Sequence, residues 1–322
     1  MADPLLTAPS PDDIRTAAGR IAGKVHRTPL LTCHAVSRIL GAELWFKCEN
    51  FQKVGAFKAR GAANAVFSLP EAELNRGVCT HSSGNHAQAL SRAAALAGAS
   101  AYIVMPSNSS RIKVEAVKGY GGQITFCEPT LEARESTLAE VQRRTGAVEI
   151  HPYNDLRIIA GQATAALEMI EDGPGFDLVM APVGGGGLLS GTALSFHYFA
   201  PRTQVIAGEP EQADDACRSF RAKTFIPSVS PATIADGLRT SLGSLTFPII
   251  LKHVNDIVTC SEDSIVRAMR LIWERMKILV EPSSAVPLAC LLEGRVPVKG
   301  LRVGIILSGG NVDLDALPWI KS

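Results

Sequence analysis

A two-lobed α/β fold, with parallel-rich sheets carrying helices on both faces, is what this sequence predicts, and three observations carry that expectation. From Gly77 onward, short apolar runs suited to strands alternate with segments of helical periodicity, the pattern of βαβ units and so of parallel sheets. The chain has 322 residues with 46% hydrophobic content, enough to bury a full core and long enough for two lobes. Chemistry-bearing turns at Lys58, Ser83, Gly184 and Ser308 all fall just after strand-like runs or at helix starts, and open α/β sheets bind ligands outside the carboxyl ends of their strands.

The elements follow in order. Ser10-Pro11-Asp12-Asp13 reads as an N-cap, a proline at the first helical position and acids in the first turn, opening a helix through about Lys24. Leu44 to Cys48 reads as a strand. Strands near Val78 to His81, Ala101 to Met105, Gln123 to Phe126 and Val148 to His151 then alternate with helices from about Asn85, Arg111 and Leu131. This run predicts a small lobe over residues 77–152. The large lobe is then discontinuous, joining residues 1–76 to residues 153–322, with strands near Leu178 to Pro182, Val205 to Gly208, Asp256 to Val258 and Val303 to Leu307. Ser261-Glu262-Asp263 caps a helix running to Lys277. There is no internal repeat and no low-complexity tract.

Bulk properties narrow the function. Basic and acidic residues number 32 and 31, are interspersed and leave a formal charge of +1, so neither nucleic acid nor an anionic membrane is an expected partner. A small substrate is. The seven cysteines (Cys33, Cys48, Cys79, Cys127, Cys217, Cys260, Cys290) are scattered, with no CxxC pair, which predicts reduced thiols in the cytoplasm. Asp3, Pro4, Pro9, Asp12 and Asp13 interrupt the N-terminal stretch, so no secretory signal is expected. Lys252, Arg270 and Lys277 break the longest apolar runs, so no membrane span is expected either.

Three segments carry the chemistry. Lys58 lies in Gly55-Ala56-Phe57-Lys58-Ala59-Arg60-Gly61, between a strand-like and a helix-like run, where an amine suits a nucleophile. A surface lysine in a first helical turn is the plainer alternative. The apolar run to Val183 leads into Gly184-Gly185-Gly186-Gly187 and then a helical stretch, so unhindered N–H groups and a helix N-terminus favour an anion there. Four glycines also serve as a flexible turn, and the spacing is neither a P-loop nor a dinucleotide fingerprint. Ser308-Gly309-Gly310-Asn311 follows a third apolar strand. A reactive lysine, a phosphate cradle and a strand-end serine suit pyridoxal 5′-phosphate, whose aldehyde needs an amine, whose phosphate needs donors and whose ring nitrogen needs a partner.

At these residues the sequence resembles the fold-type II pyridoxal-phosphate enzymes, an architecture of the tryptophan synthase β kind. Within them it is similar to the serine racemase and serine/threonine dehydratase family, including 3-hydroxyaspartate dehydratases. The match runs through Lys47 to Gln52, Gly55 to Ala62, Ser82 to Gln88, Val183 to Gly187, Ile234 to Gly237, Glu281 to Ala285 and Ser308 to Asp313. The resemblance implies that Lys58 holds the cofactor and then serves as base at the substrate Cα. It implies that Phe57 and Asn85 flank the ring, that Gly184, Gly185, Gly186 and Gly187 take the phosphate, and that Ser308 faces the ring nitrogen. A neutral hydroxyl there weakens the electron sink and favours prompt loss of a β-substituent.

The same resemblance makes Ser82, Ser83, Gly84, Asn85 and His86 the substrate loop for an α-carboxylate, with the Ser83 hydroxyl opposite Lys58. His86 reads as a packed histidine rather than a base. Glu209, the Ala213 carbonyl and Asp215 match the family's divalent-cation site, implying Mg²⁺, or Ca²⁺ or Mn²⁺ in its place. A homodimer is implied as well. Because the sequence stops shortly after the Ser308 motif, no appended regulatory domain is expected. Ala56, Tyr153-Asn154 and Arg239-Thr240 depart from the animal racemases, and Arg134, Tyr153 and Arg239 are candidates to meet a second carboxylate. The expected activity is therefore an ammonia-lyase acting on 3-hydroxyaspartate, serine or threonine. Serine racemase is the nearest alternative; a non-catalytic pyridoxal-phosphate carrier or a nucleotide-binding protein lies in a different class.

Overall fold

The computed structural model describes residues 8–320, so Asp3 and Pro4 of the N-terminal reading lie outside them. Ten strands build two sheets: β1 (Leu30–Thr32), β2 (Glu43–Cys48), β3 (Val78–His81), β4 (Ala101–Pro106), β5 (Gln123–Cys127), β6 (Val148–Glu149), β7 (Leu178–Pro182), β8 (Gln204–Pro210), β9 (Asp256–Cys260) and β10 (Arg302–Leu307). The larger sheet has the order β1-β2-β10-β7-β8-β9 and the smaller β5-β4-β3-β6. Every pairing is parallel except β1 with β2, where Leu31 faces Phe46.

Strand periodicity sets the layers. Along the adjacent central strands β7 and β10, Leu178, Met180, Val303, Ile305 and Leu307 point into one core with the helices Glu262–Met276 and Pro282–Leu292. Val179, Ala181 and Ile306 point the other way, into a core with the helix Gly187–Phe199. Both faces are dry, which is why these strands read as continuous apolar runs and not as alternating ones. The smaller sheet repeats the scheme, with Val78, Ile103 and Met105 on one face and Cys79 and Val104 on the other, against Leu138 and Val141.

Two expected boundaries shift. The first helix has its Ser10 cap, closed reciprocally by Asp13, but spans Pro11–Ile21, because Gly23 turns left-handed at φ 74°. The last strand of the smaller sheet stops at Glu149, since only Val148 and Glu149 pair with β3 before the chain turns at His151-Pro152.

The helix Lys58–Phe67 joins the two halves. Ala59, Ala62, Ala65 and Val66 enter the core of the smaller sheet. On its other side the helix crosses Leu156–Asp172 so closely that a Cβ on Gly161 would lie 2.6 Å from the Gly61 Cα. Arg60, fully buried, pairs with Glu49 at 2.7 Å and Glu168 at 2.7 Å, and Lys47 completes the cluster at 2.7 Å from Glu168. Two cations and two anions balance there. Removing one partner of such a cluster costs about 3–5 kcal/mol, because it strands the others without water.

Candidate active site

The segment ahead of Lys58 is tightly constrained. Val54 takes φ 56°, a left-handed conformation unusual for a β-branched residue, and Gly55 follows at φ 68°. The chain then zips onto the loop after β10: the Phe57 N–H donates to the Ser308 carbonyl at 3.0 Å, and the Gly310 N–H donates to the Gly55 carbonyl at 2.9 Å. Lys58 opens its helix with the Nζ donating to the Pro152 carbonyl at 2.7 Å and lying 5.1 Å from the Phe57 ring centroid. Burial lowers this amine to about 8, opposed by the charge of Glu281. That places a partly buried amine one residue after the Phe57 bonded to Ser308, itself buried.

Asn85, the first residue of the helix Asn85–Leu96, donates from Nδ2 to both Glu281 oxygens at 3.0 and 3.1 Å. Asn311 ties the group together, its Nδ2 donating to Asn85 Oδ1 at 2.8 Å and to the Val54 carbonyl at 2.7 Å. Burial, followed by the charge of Asp236, raises the Glu281 carboxyl to about 7. Sequence reasoning includes the Glu281 motif but gives this side chain no role. A glutamate before a helix-opening proline looks like a cap; only the fold shows it facing Asn85.

Gly184 to Gly187 connect β7 to the helix Gly187–Phe199. Gly186 has φ 87°, a conformation that favours glycine. At Gly184 a Cβ would lie 2.9 Å from the Leu238 Cα, and at Gly185 it would meet the Tyr153 ring at 2.3 Å. A turn stripped of side chains at a helix N-terminus fits a phosphate. The lysine and this turn meet at one point, because Pro152 holds the Lys58 amine and the next residue, Tyr153, lies against Gly185 and Gly187. The residues present therefore fit pyridoxal phosphate: an amine and an unhindered anion cradle are joined through Pro152-Tyr153, and the strand-end Ser308 is tied by its backbone to the residue before the lysine.

Ser82, Ser83 and Gly84 form the partly exposed link between β3 and the Asn85 helix, where the Gly84 N–H donates to Ser82 Oγ at 3.3 Å. His86 is buried behind this link, with Nε2 at 2.9 Å from the Ile150 carbonyl; burial and the nearby Lys58 lower it to about 3, so it is neutral. Two histidines that sequence reasoning passes over stand here: the His81 and His151 rings are 6.3 Å apart, and His151 meets the Tyr153 ring edge-on at 4.6 Å. Burial lowers both, His151 to about 4. Their place, at or just past strand ends, is the available signal. Arg134 lies close enough to depress His81, and its Nε is buried without a partner. Arg239 gives its Nε–H to the Thr233 carbonyl at 2.9 Å.

Glu209 is buried at the end of β8 and accepts from the Ala216 and Cys217 N–H groups at 2.9 and 2.8 Å. Ala213 and Asp215 are also buried, and neither Asp215 oxygen has a hydrogen-bond partner. Burial pushes Asp215 up to about 6 and Glu209 well above its usual range. Among the described residues no three histidine, cysteine or acidic side chains form a metal-binding group. The same residues include no helix long and apolar enough to cross a membrane.

Parallel sheets under helices, a partly buried amine of lowered basicity at a helix start and a bare glycine turn define a fold-type II cofactor enzyme. Comparison with known protein families matches residues 21–309 to the family described as pyridoxal-phosphate dependent enzyme, and the chain belongs to it. It is 52% identical to the beta-hydroxyaspartate dehydratase of Paracoccus denitrificans over 311 residues, 97% of this chain and 99% of that protein. Among solved structures, maize serine racemase superposes with a TM-score of 0.94 at 45% identity, covering 96% of this chain and 95% of that one. A threonine deaminase from T.th. superposes at 0.90 with 42% identity, covering 95% of this chain and 99% of that one.

Proposed function

We propose that this enzyme is a dehydratase, or ammonia-lyase, acting on a small β-hydroxy amino acid, with 3-hydroxyaspartate foremost and serine and threonine beside it. Water leaves across Cα and Cβ, and the resulting enamine tautomerises and is hydrolysed to a 2-keto acid and ammonia. The carrying observation is the Lys58 amine, its charge disfavoured by desolvation, held by the Pro152 carbonyl next to the Tyr153 that lies on the tetraglycine turn, and facing the charge of the Glu281 that orients Asn85. When bound, the cofactor supplies the electron sink that acidifies the substrate Cα–H. Lys58 would hold the cofactor, and its Nζ would then take the substrate Cα proton. Phe57 and Asn85 flank the ring, and the Asn85 amide is held in orientation by Glu281 and Asn311. Ser308 would offer the ring nitrogen a neutral hydroxyl and not a carboxylate. Ser82 to Gly84 offer hydroxyls and a helix N-terminus to the α-carboxylate.

The 52% identity to a hydroxyaspartate dehydratase supports the dicarboxylic substrate. Arg134, with its unpartnered Nε beside His81, is the cation we assign to the second carboxylate. The racemase relatives favour a second reading, serine racemization with dehydration as a side reaction, in which the Ser83 hydroxyl handles the proton on the face opposite Lys58. A panel of serine, threonine and the four 3-hydroxyaspartate stereoisomers, followed by keto-acid release and chiral analysis, separates the two. Undiminished keto-acid formation by Lys58→Ala defeats both. A non-catalytic carrier would be labelled at a lysine by borohydride yet release no keto acid.

Residues 77–152 form the lobe that closes over substrate in this proposal, supported by the 2.7 Å ion pair between Lys113 on the helix Arg111–Gly119 and Asp236 beside Gly237. Glu209, the Ala213 carbonyl and Asp215 hold a divalent cation, Mg²⁺ first, with Ca²⁺ or Mn²⁺ as replacements. Two buried carboxylates, with neither Asp215 oxygen hydrogen-bonded, support it, since a buried charge needs a counter-charge and the nearby Arg218 is already paired with Asp214 at 2.7 Å. Chelation followed by a melting scan tests the site; unchanged stability and activity refute it. A cytoplasmic homodimer completes the proposal, the cytoplasm supported by seven free thiols.

A further inference from the structure

Of the four glycines in the cofactor turn, Gly186 is explained by its left-handed φ of 87°, whereas Gly185 has no left-handed φ to require glycine. What a side chain would meet at Gly185 is Tyr153: its Cγ and Cδ1 would lie 2.3 Å and its Cε1 2.4 Å from a Cβ, and no other residue is as near. The flat ring lies on the Gly185 Cα. A Cβ on Gly187 would likewise meet the Tyr153 Cβ at 3.0 Å. The Gly185 carbonyl is held too, because Thr246 Oγ1 donates to it at 2.8 Å. Thr246 and Tyr153 belong to one assembly: Asn154 accepts the Leu245 N–H at 2.8 Å and donates to Ser244 at 3.1 Å. Just before the ring, the Pro152 carbonyl holds the Lys58 amine at 2.7 Å.

We propose that Tyr153 is a positioning residue whose ring, together with the Thr246 hydroxyl on the Gly185 carbonyl, holds the tetraglycine turn in its anion-binding shape and fixes its distance from Lys58. Its duty is then to the phosphate end of the cofactor and not to a second substrate carboxylate. This rests on the reading that Gly184 to Gly187 take the phosphate.

The test uses the full-length apoprotein and two probes, pyridoxal 5′-phosphate and pyridoxal, which lacks the phosphate, with dissociation constants read from the fluorescence of the bound cofactor. Wild type binds the phosphorylated form more tightly. Tyr153→Phe keeps that preference, whereas Tyr153→Ala, and Tyr153→Leu as a bulkier variant that preserves packing, lose about tenfold for the phosphorylated probe and nothing for pyridoxal, the scale seen when groups that orient a ligand shell are removed. Gly185→Ala shows a similar loss through collision with the ring. In the Gly185→Ala/Tyr153→Ala double variant the collision is gone, so the two losses fall well short of adding. Unchanged phosphate preference in Tyr153→Ala and Tyr153→Leu overturns the inference, as does Tyr153→Phe altering the choice between serine and 3-hydroxyaspartate with phosphate preference intact. A wild type that binds both probes equally overturns the phosphate reading itself.

Discussion

Loading of the apoprotein with cofactor should report the environment of Lys58. Only a neutral amine attacks an aldehyde, and burial brings this one to about 8 from the ordinary 10.5. At pH 7.5 a group at 8 is neutral in roughly a quarter of molecules, whereas one at 10.5 is neutral in roughly 0.1%, a gain of about 240-fold in reactive amine. The sign follows from desolvation, which penalises the ammonium. Glu281 is the one charge opposing it, so Glu281→Gln should move the midpoint further down. Stopped-flow absorbance of cofactor capture, from pH 6 to 10, is the assay. The rate should rise tenfold per pH unit at first and level off between about pH 7 and 9, with no covalent capture by Lys58→Ala. A rate still climbing steeply at pH 10 would refute the argument, because it would describe a solvated lysine.

Three further outcomes follow from the packing. Arg60→Ala leaves Glu49 and Glu168 unpaired inside the protein and should cost about 3–5 kcal/mol in chemical denaturation. Gly161→Ala forces a methyl onto the Gly61 backbone 2.6 Å away and should cost about 1–3 kcal/mol, read in the same way. The Glu281 carboxyl, raised from 4.5 to about 7, contributes stability that is fully present below pH 4.5 and lost as pH rises through 7. The apoprotein should therefore lose about 3 kcal/mol from this group across that window, and Glu281→Gln should flatten the profile; an unchanged profile would place the carboxylate in water.

Legibility in the sequence followed the range of the determining interactions. Strands β7 and β10 are readable because both faces are buried, which makes every residue apolar regardless of register save Arg302 at the exposed start of β10. Helix starts at Pro11, Asn85 and Leu131 are readable because caps are local, while the first helix ends at Ile21, about one turn before its apolar spacing suggests, because Gly23 is left-handed. The Arg60 cluster was invisible: Arg60 and Glu168 are 108 residues apart, and a charged residue in a helical pattern reads as solvent-facing. Glu281 and His151 escaped notice for the same reason, since each gains its character from burial and from neighbours in other elements. The tetraglycine turn announced an anion site, but the sequence carried no sign that Tyr153 would be the ring resting on it.

The helix Lys58–Phe67 serves both halves at once, giving Ala59, Ala62 and Ala65 to the smaller sheet and Arg60 and Gly61 to the helix Leu156–Asp172. A protease nicking the chain near residues 77 and 152 would therefore not free a self-sufficient fragment, because part of its apolar interior would stay behind. The two halves should melt in one transition, and the lysine's anchorage would vanish with either of them.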